Sequence, residues 1–194
     1  MATNNFDAPA TDRFPFLTRD QLTPEAQDIW DRRCAAVNAK ALGGHFNVMM
    51  HSPGLCDKVS ELEGYFRFDA GLSKHDREFI TIVVLRKAAA RFAWARHEQR
   101  SIQDGVPADV VELIRCQAPL AEIPEPYRLM TEFARTLTFA TEELPRDLFE
   151  RMIAAKGMPW VLNVIALVGH YSLVATTIHG FGIHAREEVD GRTF

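Results

Sequence analysis

Residues 73–90, SKHDREFITIVVLRKAAA, decide how the chain is read. Their centre, ITIVVL at residues 80–85, is rich in β-branched side chains and by itself passes for a buried strand. The flanks point the other way. Ser73 offers a hydroxyl to the start of a helix, and Asp76 places an acid in the first turn. Phe79, Ile82, Val83 and Leu85 then follow helical rather than alternating spacing, over a segment too long for an ordinary strand. The reading is a helix from Ser73 to about Ala90.

Similar signals recur on both sides. Thr23-Pro24-Glu25 opens one helix and Ser52-Pro53 another, each pairing a capping hydroxyl with proline at the first helical position. Gly105-Val106-Pro107 ends one helical pattern and begins the next. Pro124 and Pro126 precede residues 127–140, where Leu129, Phe133 and Leu137 keep the helical period. Pro145 starts a further helix, and Gly157-Met158-Pro159 introduces the last long one. No strand ladder, solenoid repeat or low-complexity tract is visible, so the expected fold is all-α with seven or eight helices. Residues 1–22 read as an extended arm whose Phe14 and Phe16 are suited to docking on a neighbour, and residues 23–194 as one domain.

The 194 residues carry 22 Lys+Arg against 26 Asp+Glu, a net charge of −4, and 47% are hydrophobic. A chain of this size buries roughly 70% of its unfolded surface, enough for a core without disulfides or structural metal. No run of basic residues exceeds two, so nucleic acid is not an expected partner. Cys34, Cys56 and Cys116 form no CxxC pair and read as buried small hydrophobes in a reduced compartment. The N-terminal MATNNFDAPATDRF lacks a basic segment followed by an apolar one. The longest apolar stretch, residues 160–175, is broken by Asn163, Gly169, His170 and Ser172 and falls short of the ~20 residues a bilayer span needs. A cytoplasmic protein without a membrane partner is the expectation.

Candidate chemistry concentrates between Glu78 and His97. Arg86, Ala90, Ala93 and His97 are spaced four, three and four residues apart and share one face if the helix runs unbroken. That face is basic at both ends and bare between them. It leaves room for a ligand whose carboxylate Arg86 or Arg91 receives while His97 exchanges a proton near neutral pH. The same alanines equally serve close helix packing. Ser172, Thr176 and His179 form a polar stripe on the last helix, and His170, nine residues from His179, points to the other side. His45 and His51, or His179 and His184, match neither the HExxH nor the EF-hand spacing, and no metal or cofactor site is expected. There is no nucleophile elbow or phosphate-cradling loop; Gly43-Gly44 reads as a turn. Phe46, Phe92, Trp94 and Tyr171 read first as core, although a ring beside His97 suits a flat cyclic substrate.

Residues 43–53, GGHFNVMMHSP, and 72–106, LSKHDREFITIVVLRKAAARFAWARHEQRSIQDGV, resemble the carboxymuconolactone decarboxylase family and the related alkylhydroperoxidase-like proteins. A weaker echo lies in residues 170–183, HYSLVATTIHGFGI. The peroxidase branch carries a Glu, then eleven residues, then CxxC, then three residues and a His. Glu78 and His97 fit this frame, with Ala90 and Ala93 in the cysteine places. A peroxidatic thiolate and its resolving partner are both missing there, so thiol peroxidase chemistry ranks last. The decarboxylase-like branch commonly carries Tyr-Glu-Trp followed two residues later by His. Trp94 and His97 match it, while Phe92 and Ala93 replace the tyrosine and the acid. Where relatives often have Gly-Pro-Phe-Asn, this chain has Gly44-His45-Phe46-Asn47, which puts an extra imidazole in a loop leading to the pocket. His179 stands where they often have Asn.

The resemblance implies a helical bundle that assembles as a homotrimer or homohexamer, with sites near subunit contacts and no metal or organic cofactor. It implies a lyase or isomerase acting on a small cyclic or aromatic-derived organic acid. His97 would be the general acid/base, Glu78 its orienting carboxylate, and Arg91 or Arg86 the holder of the substrate carboxylate or developing oxyanion. His45, Phe46, Trp94 and His179 would line the substrate site. The alternative is a non-catalytic member that binds a small ligand or a partner.

Overall fold

In the computed structural model, described for residues 13–185 and 193–194, every α-helix or 3₁₀ turn belongs to one helical assembly, and no strand occurs among those residues. The helices are α1 (Pro24–Ala36), α2 (Gly44–Met49), α3 (Pro53–Phe68), α4 (Lys74–Lys87), α5 (Arg91–Gln103), α6 (Ala108–Arg115), α7 (Tyr127–Leu137), α8 (Arg146–Lys156) and α9 (Met158–Phe181). Single 3₁₀ turns lie at Arg19–Gln21 and Leu120–Glu122. The all-α expectation holds, but the count of seven or eight falls short of the nine α-helices in the described residues.

The additional helix is α2, where the sequence predicts turn and loop. Its six residues are too few to show a period. Gly44 opens it at φ +56°, a left-handed conformation glycine adopts without strain. A Cβ there would stand 2.2 Å from the Phe92 ring, so the bare backbone of Gly44 is what lets α2 seat against α5. His45 consequently sits in the first turn of a helix and not in a loop.

The capping signals act as read at Thr23, which accepts from the Ala26 amide, and at Ser73, which accepts from the Asp76 amide 3.0 Å away. Ser52 makes no side-chain cap bond; Pro53 alone marks that start. Asp76 has a second task. Its carboxylate accepts from Lys156 Nζ at 2.9 Å, Trp160 Nε1 at 3.0 Å and His75 Nδ1 at 3.0 Å, tying the start of α4 to α8 and α9.

α4 runs through the centre. Arg77, Glu78 and every residue from Phe79 to Leu85 are buried, packed by α5, α7, α9 and α6. A helix enclosed on all sides has no polar face, which is why ITIVVL shows so little amphipathic period. A smaller cluster of Trp30, Phe46, Met49, Met50 and Cys56 fills the space between α1, α2 and α3. α9 extends beyond the apolar stretch of the sequence, through Thr176, Thr177 and His179 to Phe181. It is long and apolar enough by length and composition to cross a bilayer, and half of its most apolar window is packed inside the protein.

Two further expectations change. α4 ends at Lys87, and the chain reverses through Ala88, Ala89 at φ +54° and Ala90 before α5 begins. The continuous face through Arg86, Ala90, Ala93 and His97 therefore does not form. Cys116 is exposed, whereas Cys34 and Cys56 are buried as expected. Of the arm, residues 1–12 lie outside the described residues. Phe14 packs edge-on against His51 at 4.1 Å and Phe181 at 5.9 Å, so it docks on its own chain. Asn47 clamps the same segment, accepting from the Leu17 amide and donating to the Leu17 carbonyl, both at 2.8 Å.

Candidate functional site

The reversal at Ala88–Ala90 folds α5 back along α4, and this brings Glu78 and His97 together although nineteen residues separate them. His97 Nδ1 donates to Glu78 Oε2 at 2.7 Å, and both residues are buried. The other carboxylate oxygen, Oε1, accepts from Arg77 Nε at 3.3 Å and Nη2 at 3.2 Å. Burial pushes the Glu78 carboxyl up. The charge of His97, its hydrogen bond and the Arg100 and Arg77 guanidiniums outweigh that and hold it at about 2. An ionised Glu78 fixes the imidazole tautomer with its proton on Nδ1 and leaves Nε2 as the reactive nitrogen.

The third wall comes from α9. The Tyr171 ring meets His97 edge-on at 5.3 Å, and the His170 ring meets Tyr171 at 5.0 Å. Burial and the negative charges of Glu63 and Glu78 push the Tyr171 hydroxyl far above its ordinary range, so it stays protonated. On the other side of Tyr171 lies a second polar group. Glu63 on α3 is bracketed by two guanidiniums, hydrogen-bonding Arg33 of α1 and pairing with Arg67 at 2.6 Å. Burial pushes the Glu63 carboxyl up, and Arg33 and Arg67 bring it below its ordinary value. Arg33 lies 3.6 Å over the Phe46 ring, and His45 packs on the same ring at 4.4 Å. Burial keeps both neighbouring imidazoles neutral, lowering His45 to about 3 and His170 to about 4.

The other residues singled out from the sequence take different places. Arg86 donates from Nε to the Arg115 carbonyl at 2.6 Å and lies 3.9 Å over the Phe194 ring. Arg91 is exposed and lines a cleft of about 370 Å³ together with Arg13, His179 and His184. Neither arginine forms a hydrogen bond or ion pair with Glu78 or His97. Trp94 is fully buried and packs against Phe194 at 5.5 Å, a core position. His179 Nε2 donates to the Ala88 carbonyl at 2.7 Å and so pins the α4–α5 corner. As the nine-residue spacing implies, it faces away from His170. Ser172, Thr176 and His179 do lie along one side of the unbroken α9, none of them buried, and the Ser172 hydroxyl donates to the Val168 carbonyl of its own helix.

Arg33 and Glu63 are site residues that the sequence does not single out, and His170 is read there only as facing away from His179. Arg33 and Glu63 lie thirty residues apart on different helices, and only the docking of α1 on α3 makes them a pair. Among the described residues no group of three or more His, Cys, Asp or Glu converges to hold a metal ion. No thiol is activated either. Burial raises Cys34 and Cys56, and the hydrogen bond to the Glu112 carboxylate raises Cys116.

No family profile and no curated protein matches the chain. Solved structures do. One is the alkylhydroperoxidase AhpD core of an uncharacterized peroxidase-related protein from Ralstonia eutropha JMP134. It superposes with a TM-score of 0.73 at 16% identity, over 96% of this chain and 100% of the other. Another is a cysteine-to-alanine variant of the debrominase Bmp8 in complex with 2,3,4-tribromopyrrole, with a TM-score of 0.70 at 13% identity, over 93% of this chain and 92% of the other. At such identities it is the path of the chain that is shared, and it is shared over nearly its whole length. The protein therefore has the helical fold of the alkylhydroperoxidase core.

Proposed function

We propose that the protein is an acid/base enzyme, a lyase or isomerase that works through its own side chains on a small cyclic or aromatic-derived organic acid. The observation that carries this is the buried Glu78–His97 pair, bonded at 2.7 Å, with His97 Nε2 left free of any hydrogen bond. An imidazole oriented by an ionised carboxylate is the arrangement that moves a proton at a substrate atom. In an isomerisation, Nε2 takes a proton from the carbon beside a carbonyl, the electron pair passes into an enolate, and the imidazolium returns the proton at another carbon. In a decarboxylation, the bond to the carboxylate breaks, carbon dioxide leaves, and a protonated His97 supplies the proton to the resulting carbanion.

Several features support a flat ring as substrate. The aromatic ring of Tyr171 stands edge-on to His97, and the debrominase of the same fold is in complex with a small aromatic heterocycle. Ala90 and Ala93 occupy the places where the peroxidase pattern has its cysteines, which removes the thiol route. The test is mass spectrometry of the purified protein, with no metal added, against γ-lactone acids and aromatic-ring-cleavage products. Loss of carbon dioxide or a changed isomer is expected for at least one of them. If several members raise the melting temperature yet none is converted, the protein binds small acids without catalysis and the enzymatic reading falls.

A second copy of the chain is the proposed partner, in a homotrimer or homohexamer. Leu162, Ile165, Ala166, Gly169 and Leu173 share one exposed face of α9. The exposed Leu62 and Tyr65 of α3 lie alongside, joined to α9 by the Tyr65 hydroxyl and Asn163 Oδ1 at 3.0 Å. Contiguous apolar surface of this kind is the mark of an interface. Light scattering is expected to give three or six times the 21.9 kDa chain mass; a clean monomer would rule this assembly out.

A further inference from the structure

We propose that the polar cluster of Arg33, His45 and His170, on the far side of Tyr171 from His97, is a carboxylate-binding subsite. The inference takes from the proposed function only that the ligand is a small organic acid. Three nitrogens in this cluster are sealed from solvent and have no hydrogen-bond partner: Arg33 Nε, His45 Nδ1 and His170 Nδ1. They come from three helices, α1, α2 and α9, whose arrangement around α3 collects them. Arg33 and His45 share the Phe46 ring as a common contact. His170 packs at 5.6 Å on Phe66, one turn along α3 from Glu63. Both imidazoles also feel the charges of Glu63 and Arg33. Orphaned buried polar atoms are uncommon, and three around one ion pair call for a shared partner.

The chemistry of that partner follows from what the cluster has left to give. Arg33 Nε is only a donor. Each imidazole is neutral and free to carry its proton on Nδ1, which makes three donors and no obligatory acceptor. Glu63 supplies one negative charge against the two positive charges of Arg33 and Arg67, so one positive charge is uncompensated. Three donors and a surplus positive charge select an oxyanion over a neutral hydroxyl compound or a cation. Aromatic walls at Phe46, Phe66 and Tyr171 favour a carboxylate borne on a ring. His45 is half-buried while its Nδ1 is sealed. Tyr171 touches both His170 and His97, so one aromatic ring links this cluster to the proposed proton donor. The subsite thus takes the role that the sequence pattern suggests for Arg86 or Arg91.

The experiment is titration of ¹⁵N-histidine-labelled protein with benzoate, and with benzamide as its uncharged counterpart, read at the imidazole nitrogens. Benzoate is expected to move the Nδ1 signals of His45 and His170, and benzamide to need about tenfold higher concentration for the same displacement. His45→Phe keeps the ring and removes one donor, and is expected to weaken benzoate about tenfold; His170→Phe checks the same point should the first variant fail to fold. Benzoate responses confined to His179 and His184 would move the site to the outer cleft and overturn the proposal. So would equal responses to benzamide, or none to either compound. The outcome is separate from catalysis. Benzoate binding at His45 and His170 without turnover of any acid would leave this subsite standing and sink the enzymatic reading, and turnover without these responses would do the reverse.

Discussion

Replacing His97 with alanine is expected to lower turnover by roughly 10²–10⁴-fold, the usual worth of a positioned general acid/base. The effect should fall on kcat more than on KM, because the groups proposed to hold the substrate lie on α1, α2 and α9 and not on α5. Removing the imidazole also leaves Glu78 buried with only the long bonds from Arg77, at 3.2 and 3.3 Å. The alanine variant will therefore lose stability as well, since a buried charge stripped of a partner costs a few kcal/mol. Glu78→Gln separates the two effects. It keeps the volume and removes the charge that fixes the proton on Nδ1, so the imidazole loses its orienting carboxylate while the core stays filled. Turnover should fall in this variant too, with the fold left more stable than in His97→Ala. Full activity in both variants would exclude His97 as the proton carrier.

The second large effect is a steep loss of stability in mild acid. His45 and His170 are held at about 3 and about 4 in the folded protein, against 6.5 for a free imidazole. Between those values and 6.5 the unfolded chain binds protons that the folded one refuses, so folding stability falls as pH drops through this window and levels off below it. Above pH 6.5 both states are neutral at these sites and the contribution vanishes. Glu78 adds to the loss further down. Its folded value of about 2 lies below the ordinary 4.5, so the stability it supplies is present above 4.5 and disappears as pH falls towards 2. A tenfold difference in proton affinity between the two states is worth about 1.4 kcal/mol, and the two imidazoles together amount to several kcal/mol by about pH 4. Thermal melts at pH 7.5, 5.5 and 4.0 are expected to show a progressive fall, reduced in His170→Phe, which has no imidazole to protonate. A melting temperature that stays flat from pH 7.5 to 4.5 would mean that neither imidazole is held neutral by the fold.

Much of the architecture was written locally. Thr23, Ser73 and the prolines at 24, 53 and 159 mark helix starts because capping and proline geometry depend only on a residue and its near neighbours. The frame from Glu78 to His97 was legible only through the family resemblance; spacing alone did not pair these two residues, which meet because α5 folds back along α4. The short helix α2 was not legible, since six residues show no period and its seat depends on Gly44 meeting Phe92 of a helix nearly fifty residues on. The end of α4 near Ala90 was legible, but the reversal there was not, because three alanines carry no local turn signal and the reversal is held by tertiary contacts, among them His179 on the Ala88 carbonyl.

The sequence by itself determined that the chain is helical and that ITIVVL belongs to a helix and not a strand, and its resemblance to a family set a carboxylate and an imidazole in a recognisable frame. Only the tertiary structure decided that Arg86 serves a backbone carbonyl. It also decided that Arg33, Glu63, His45 and His170 gather behind Tyr171. The physical reason is range: caps, periods and turns act within about four residues, whereas the charge state and partners of a buried side chain are set by whichever distant helices pack around it.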